Sequence, residues 1–396
     1  ASVCDWSHTA MDGATAYRLI DKALGEFATR RPRPKHIQVP IALGGSLVEA
    51  APKRTALVGK VRADAEAGAA LAKAVIAAKR PVFVFGGGAA RGKDLTWVDG
   101  FLEHPIASFT TYSARGLIPE DAPLHFGASL SKGESADVFA SADLVVAVGT
   151  ELAEVDVWRP HLGQTCPLVR IDIDPEEFCD GFGGTQLILA DAAAQMKDLM
   201  ERLSGIALET EWSAEAVLAA KTRWAVQTNA DRPGIARITD ALRGVVGDDV
   251  RIFSDMTQFA YVAKEVWPMN RANIWHHPFG FGTLGYALPA AIGGKIGVGD
   301  APVMAIAGDY GFQYTVQELG VAVELGLSLP IILWDNGKLK EIEDCMVNSQ
   351  IAPNAVQALN PDFCKLAEAW GALSAAPSSL TELQTAVTEA FAADGP

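Results

Sequence analysis

Two short apolar runs, Val303-Met304-Ala305-Ile306-Ala307 and Pro330-Ile331-Ile332-Leu333-Trp334, each end in a polar tip, and this pairing constrains the chain more than any other feature. Apolar runs of this length, bounded by turn residues, read as fully buried strands. The first passes into Gly308-Asp309-Tyr310-Gly311, where Gly308 permits a sharp turn. The spacing of Val316, Leu319 and Val323 then predicts a helix over 312–325. The second run ends in Asp335-Asn336. Neighbouring parallel strands would set Asp309 and Asn336 side by side at their C-terminal tips, where open α/β sheets place ligands. A carboxylate and an amide carbonyl are hard oxygen donors, suited to Mg²⁺ held against a phosphorylated group that completes an octahedral shell. Either residue alone reads as a turn cap; the two together, at matching tips, read as a metal site.

The remainder alternates in the same way, which predicts an α/β fold with parallel sheets. A length of 396 residues suggests two or three domains. Residues 1–45 carry one helical pattern (Ala16, Leu19, Ile20, Ala23, Leu24, Phe27), the turn Arg30-Arg31-Pro32-Arg33-Pro34 and a strand over 36–41. That is a single αβ unit, too small for its own core. A Gly/Ala/Pro linker follows over 46–56. Residues 57–204 predict helices over 64–79 and 192–203, a helix near Val138, and strands over 81–85, 106–110, 144–148 and 168–173. After a second linker, residues 216–396 form another series with strands over 251–254, 303–307 and 330–334. The expectation is two doubly wound domains, 57–204 and 216–396, with 1–45 as the remnant of a third.

Composition narrows the function. A net charge of −15 disfavours a nucleic-acid partner and a polybasic membrane contact. No run of 18 apolar residues occurs, so no membrane span is expected. The five cysteines are scattered without CxxC spacing, which argues against a zinc site or disulfide framework and fits a reducing cytoplasm, as does the absence of a legible leader.

Gly308-Asp309-Tyr310-Gly311-Phe312-Gln313 and Asp335-Asn336, with Gly282-Thr283-Leu284-Gly285-Tyr286-Ala287-Leu288-Pro289-Ala290-Ala291-Ile292-Gly293 upstream, resemble the thiamine-diphosphate enzymes of the acetolactate synthase and 2-oxo-acid decarboxylase family. Glu341-Ile342 to Met346, Ile351-Ala352-Pro353 and Asn360-Pro361-Asp362-Phe363 carry a finer likeness to the 5-guanidino-2-oxopentanoate decarboxylase-like members. The resemblance implies that 216–396 is the diphosphate- and Mg²⁺-binding domain, 57–204 the central domain and 1–45 the tail of a pyrimidine-binding domain. It implies side-chain metal ligation by Asp309 and Asn336 and a backbone ligand from Lys338. Leu284 takes the place of the apolar wedge that bends the cofactor. Ser254, Asp255 and Gln258 fall where the family contacts phosphate and substrate, and Thr283, Tyr310 and Gly311 where it offers donors to the diphosphate. The activity implied is non-oxidative decarboxylation of a small-molecule 2-oxo acid, in a homodimer or homotetramer. Acetolactate-type carboligation, or a non-catalytic cofactor-binding subunit, are the alternatives. The glutamate that activates the cofactor in this family belongs to the pyrimidine-binding domain, most of which is not in this sequence. The chain is therefore expected to be a piece of a longer protein, with little turnover of its own.

The sequence departs from the family pattern in three places. Tyr310 stands where glycine is usual, Asp335 where asparagine is usual, and Lys338-Leu339-Lys340 where a small segment is usual. Asp335 either tightens the metal or caps a turn; the two lysines either contact diphosphate or substrate, or point into solvent. Adjacent histidines project to opposite faces of a strand, so His276-His277 are a poor metal pair. His277 is left between a substrate acid or base and a structural role. Gly86-Gly87-Gly88 lacks a GxGxxG and reads as a plain tight turn. A nicotinamide-dependent oxidoreductase would need nucleotide there. Asp172 and Asp174 read as strand-end structure, Arg30-Arg31-Pro32-Arg33 as a solvated loop, and Cys345 as small packing.

Overall fold

The computed structural model describes residues 3–51, 59–91 and 94–396. Ala1, residues 52–56 of the first linker, and the first two residues of the 57–204 stretch lie outside the described residues. The strands, in chain order, are β1 (Trp6–Thr9), β2 (Lys35–Gln38), β3 (Pro81–Phe85), β4 (Ala107–Thr110), β5 (Leu144–Val148), β6 (Leu168–Asp172), β7 (Gln186–Leu189), β8 (Arg251–Ser254), β9 (Trp275–His276), β10 (Val303–Gly308) and β11 (Ile331–Trp334). The α/β expectation holds, and every pairing between these strands described here is parallel. Among the described residues, no helix is long and apolar enough to cross a membrane.

The chain divides into two compact units, and their boundaries differ from a simple linear division. One comprises Ala1–Ile106, Ala136–Leu152 and Pro160–Glu211; the other comprises Ala107–Ser135, Ala153–Arg159 and Trp212–Pro396. The 1–45 segment thus clusters with most of the 57–204 series. Residues 107–135 and 153–159, placed by periodicity in the 57–204 series, cluster with the C-terminal half. The reason is aromatic burial. Phe109 stacks on Phe126 at 4.7 Å, and both rings approach Trp224, at 6.2 and 5.9 Å. Periodicity reports which face of an element is apolar, not which partner covers it.

In the first unit β3, β5, β6 and β7 pair in that order. Every residue of β3 and β5 is buried, which explains their unbroken apolar sequence: parallel strands are covered on both faces. The helix Ala65–Ala77 starts where the side chain of Asp64 accepts the Ala67 amide at 2.7 Å. The glycines after β3 serve packing. A Cβ on Gly86 would lie 2.3 Å from the Gly149 carbonyl, and Gly86 caps the short helix Gly87–Ala90.

The arginine-rich turn is partly solvated, as expected, and also carries ion pairs. Arg31 pairs with Glu151 at 2.6 Å and with Glu177, while Arg33 pairs with Asp174 and Glu176, both at 2.8 Å. Both arginines are more than a third exposed. Such pairs contribute about 0–1 kcal/mol each, against about 1.5–3 kcal/mol for each fully buried Val or Phe of β3, so packing dominates this unit. Asp172 accepts the Asp174 amide at 2.9 Å, and burial pushes its carboxyl above the usual range. Both aspartates are thereby used by the chain itself.

In the second unit the order is β11-β10-β8-β9. Side chains of β10 alternate between two cores: Met304 and Ile306 join Ile252, Phe259 and Trp267, whereas Val303, Ala305 and Ala307 join Phe253, Leu288 and Phe312. The predicted 312–325 helix is broken into Asp309–Tyr314, a 3₁₀ turn at Val316–Glu318 and Leu319–Glu324. Thr315 interrupts it, with φ −133° and its hydroxyl donated to the Gly285 carbonyl at 3.3 Å. Strands β1, β7 and β9 were not foreseen. They are two to four residues long and, in β1 and β7, largely unburied, too little for a periodic signal.

Candidate active site

Strand register sets the geometry. Gly308 pairs with Trp334, so Asp309 and Asp335 leave the sheet as neighbours and Asn336 follows. Asp309 is 4% exposed. Its Oδ1 accepts the Tyr310 amide at 3.0 Å and its Oδ2 accepts Asn360 Nδ2 at 2.7 Å. The same Asn360 nitrogen donates to Asp335 Oδ1, also at 2.7 Å, and Asp335 further accepts the Gly337 amide at 3.1 Å. One neutral amide thus clasps two carboxylates. Asn336 Oδ1 accepts the Lys338 amide at 3.3 Å, and its Nδ2 donates to Gln258 Oε1 at 3.4 Å.

From Gln258 the network continues away from the tips. Gln258 Nε2 donates to Glu341 Oε1 at 3.0 Å, and Arg232 grips both Glu341 oxygens, each at 3.0 Å. Burial opposes ionisation of Glu341, but the bonds from Arg232 and Gln258 outweigh it and hold the carboxyl below its ordinary range. Lys338 Nζ donates to Glu343 at 2.8 Å, and Lys340 pairs with Asp344. Both cations are turned to carboxylates of the helix Lys340–Asn348.

Asp309, Asn336 and Lys338 line one cavity of about 760 Å³, together with Gln258, Tyr310 and Gly311. Leu284 and His277 form further parts of its wall, and the volume lies within the range of small-molecule sites. Cys345, expected as packing, is exposed on the same wall.

Three of the sequence-named residues lie elsewhere. Thr283 is exposed and does not line the cavity. Ser254 and Asp255 are fully buried, with no exposed surface. Asp255 accepts the Met256 amide at 3.0 Å and the Gly285 amide at 2.8 Å. Burial pushes its carboxyl above the usual range against those bonds. It therefore ties the β8 tip to the turn that presents Leu284. Ser254 Oγ is engaged by Trp275 and His277. The two histidines part as expected: His276 stacks on Phe253 at 4.6 Å, and His277 faces the cavity. Asn360, Arg232 and Glu341 were not singled out as site residues. Asn360 lies in an Asn-Pro-Asp stretch with an ordinary turn signature, and nothing in its local sequence points to strand tips 25 and 51 residues away.

The donor set fits a divalent cation bound with a phosphorylated group. Among the described residues, no lysine or arginine pairs with Asp309 or Asp335 within 4.0 Å, leaving the carboxylates without a countercharge. No group of three His, Cys, Asp or Glu side chains could hold a metal among them. A cation here would need amide, backbone and phosphate oxygens to complete its shell, as Mg²⁺ commonly does.

Comparison with known proteins agrees. Residues 255–396 match the thiamine pyrophosphate enzyme C-terminal TPP binding domain, and residues 69–209 match the thiamine pyrophosphate enzyme central domain. The probable 2-ketoarginine decarboxylase AruI of Pseudomonas aeruginosa is 36% identical over 404 residues, covering 100% of this chain and 71% of that protein. An acetolactate synthase of Mycobacterium avium is 28% identical over 76% of this chain and 51% of its own length. The acetolactate synthase isozyme 3 large subunit of Escherichia coli is 26% identical, over 80% and 58% respectively. The chain thus spans little more than half of these two synthases. The crystal structure of benzoylformate decarboxylase from Polynucleobacter necessarius shares the fold, with a TM-score of 0.78 at 19% identity over 99% of this chain and 74% of that one. This chain belongs to the thiamine pyrophosphate enzymes.

Proposed function

We propose that the protein decarboxylates a 2-oxo acid with thiamine diphosphate and Mg²⁺. The pairing of Asp309 and Asn336 at adjoining strand tips, beneath one cavity, carries the reading. Asp309, Asn336 Oδ1 and the Lys338 carbonyl are the proposed metal ligands. The amides of Tyr310 and Gly311, at the start of the helix Asp309–Tyr314, are proposed to face the diphosphate. Thr283 is the weaker candidate for that role, being outside the cavity wall. Bound thiamine diphosphate would supply the electron sink that lets CO₂ leave. The chain's own residues position it: Leu284 stands half-buried on the wall, and Asp255 and Gly285 fix the turn that carries it.

The substrate class proposed is a 2-oxo acid with a cationic tail, as in the relative named for 2-ketoarginine. The wall carries the carboxylates Asp231, Glu265 and Glu341, and Glu341 already grips one guanidinium, that of Arg232. CO₂ release from a panel of 2-oxo acids, with Mg²⁺ and thiamine diphosphate, tests the reading. The expected result is fastest release from the guanidino acid, with an aldehyde as product. Pyruvate consumption yielding 2-acetolactate would favour carboligation, and cofactor binding without any turnover would favour a cofactor-binding subunit. A homodimer or homotetramer is the proposed assembly, and the five free cysteines fit a cytoplasmic location.

Leu284→Ala separates positioning from binding. With the metal ligands intact, cofactor affinity measured by calorimetry is expected to change little. The turnover number is expected to fall about 10- to 100-fold, because small misplacement of reacting groups is enough for such a loss. An unchanged turnover number would remove Leu284 from the proposed role.

A further inference from the structure

The cavity wall contains a lysine that neither the metal clamp nor the cofactor reading uses. We infer that the Lys264 amine is the resident proton acceptor of this cavity, held neutral by a hydrogen-bond chain running from Trp275 through Ser254 to His277. The inference goes beyond the proposed decarboxylation but rests on the same cavity being the reaction chamber.

The direction of the chain follows from its members. Trp275 Nε1 lies 2.7 Å from Ser254 Oγ, and an indole N–H can only donate. Ser254 Oγ lies 2.8 Å from His277 Nδ1. No other partner is present for the Ser254 side chain among the described residues, and the residue has no exposed surface. Pointing at His277 Nδ1 gives its single proton an acceptor. A neutral imidazole carries one N–H, so the ring proton sits on Nε2. Nε2 lies 3.2 Å from Lys264 Nζ. With Nε2 donating, Nζ must accept, and only a neutral amine has the lone pair to do so. The opposite tautomer would leave the buried Ser254 proton without an acceptor, which is the costlier arrangement.

The surroundings point the same way. Lys264 is 6% exposed and His277 7%. Burial, with the Arg115 charge second, lowers the Lys264 amine to about 7. Arg232 lowers it further, while Asp156 and Glu265 oppose the shift. Those carboxylates have other partners: Glu265 pairs with Lys132 at 2.7 Å, and Asp156 accepts the Tyr112 amide at 3.0 Å. The rings of Tyr112, Tyr261 and Phe279 lie 4.5, 5.2 and 5.3 Å from Nζ. They favour an ammonium by cation–π attraction but accept no N–H in the way an oxygen would. Burial holds His277 far below its ordinary range, and any charge on Lys264 would lower it further, so the ring stays a neutral relay.

In the step inferred, the hydroxyl formed from the substrate's 2-oxo group loses its proton as the aldehyde carbonyl is regenerated: its O–H bond breaks, the hydrogen bond from His277 Nε2 to Nζ opens, and an N–H bond forms at Nζ. The resulting ammonium returns its proton to water at the cavity mouth. Decarboxylation of a 2-oxo acid to an aldehyde replaces a carboxylate by hydrogen, so each turnover moves protons at the reacting oxygen and carbon, and a group titrating near neutrality suits that exchange.

The test uses the cofactor-free protein with ¹⁵N- and ¹³C-labelled lysine and histidine, read by NMR across pH. Lys264 is expected to titrate near pH 7, with His277 protonated at Nε2 above that midpoint. Ser254→Ala removes the donor to Nδ1 and is expected to raise the Lys264 midpoint about tenfold in proton affinity, one pH unit. A wild-type midpoint above about 8.5, close to that of ordinary lysines, overturns the inference. So does a His277 proton on Nδ1 at high pH. The wild-type titration needs no variant, so misfolding of Ser254→Ala cannot mask the answer. Because no cofactor is present, failure of thiamine diphosphate to bind would sink the functional reading and leave this measurement standing.

Discussion

Asp309→Ala is expected to weaken Mg²⁺-dependent binding of thiamine diphosphate by at least about 100-fold in calorimetric titration. Loss of residues that merely orient metal ligands commonly costs about 10- to 100-fold, and a ligand itself should cost no less. Asp309 is the buried carboxylate at the β10 tip, and its two oxygens are aimed by the Tyr310 amide and by Asn360. Asp309→Asn retains an oxygen at the tip while removing the charge, and is expected to fall between wild type and the alanine variant. Circular dichroism should show the fold intact in both, since the β10 core rests on Met304, Ile306 and their neighbours on the two sheet faces. Wild-type affinity in Asp309→Ala, still dependent on Mg²⁺, would remove the strand-tip clamp from the proposal.

Gly311→Ala should act on both stability and the site. A Cβ at this position would lie 2.2 Å from Asp255 Oδ2. That oxygen cannot retreat, because it accepts the Gly285 amide at 2.8 Å in a residue with no exposed surface. Overpacking of this kind costs about 1–3 kcal/mol, or about 2–12 °C in Tm for a unit of this size. The displaced Asp255 would also release the turn carrying Leu284, so cofactor affinity should fall with stability. Gly293→Ala is the matched control. It lies in the helix Ala287–Val298 with nothing within 4 Å of its Cβ position, and should be neutral or stabilising by about 0.5–1 kcal/mol. Differential scanning calorimetry of the two variants decides whether the close approach at Gly311 has the consequence argued. Equal Tm values would show that it does not.

Most strands legible from sequence share one property, whereas β11, expected to be fully buried, is only half-buried along its length. β3, β5 and β10 are buried along their whole length, so every side chain is apolar and the run stands out between turn residues. The tips they carry were legible for the same reason, since a tip is defined by where such a run stops. Helix starts were legible where a side chain caps the first turn, as at Asp64 and Asp191. Local chemistry of this kind is complete within a few residues, and no folding is needed to see it.

Other features depend on distant partners. Asn360 is unremarkable until β10 and β11 bring Asp309 and Asp335 within 2.7 Å of its amide. Ser254 and Asp255 resemble ligand contacts at a strand tip, yet burial turns both inward. The stretch from Ala107 to Ser135 joins the second unit because its aromatic rings find Trp224. Nothing in the sequence around Lys264 marks its amine; three rings and an imidazole enclose it only in the folded chain. Local sequence thus dictated the longer buried strands, two helix starts and the acidic tips, because hydrophobic periodicity and capping act over a few residues. Burial and hydrogen-bond direction were settled only by packing, because both belong to the partner as much as to the residue.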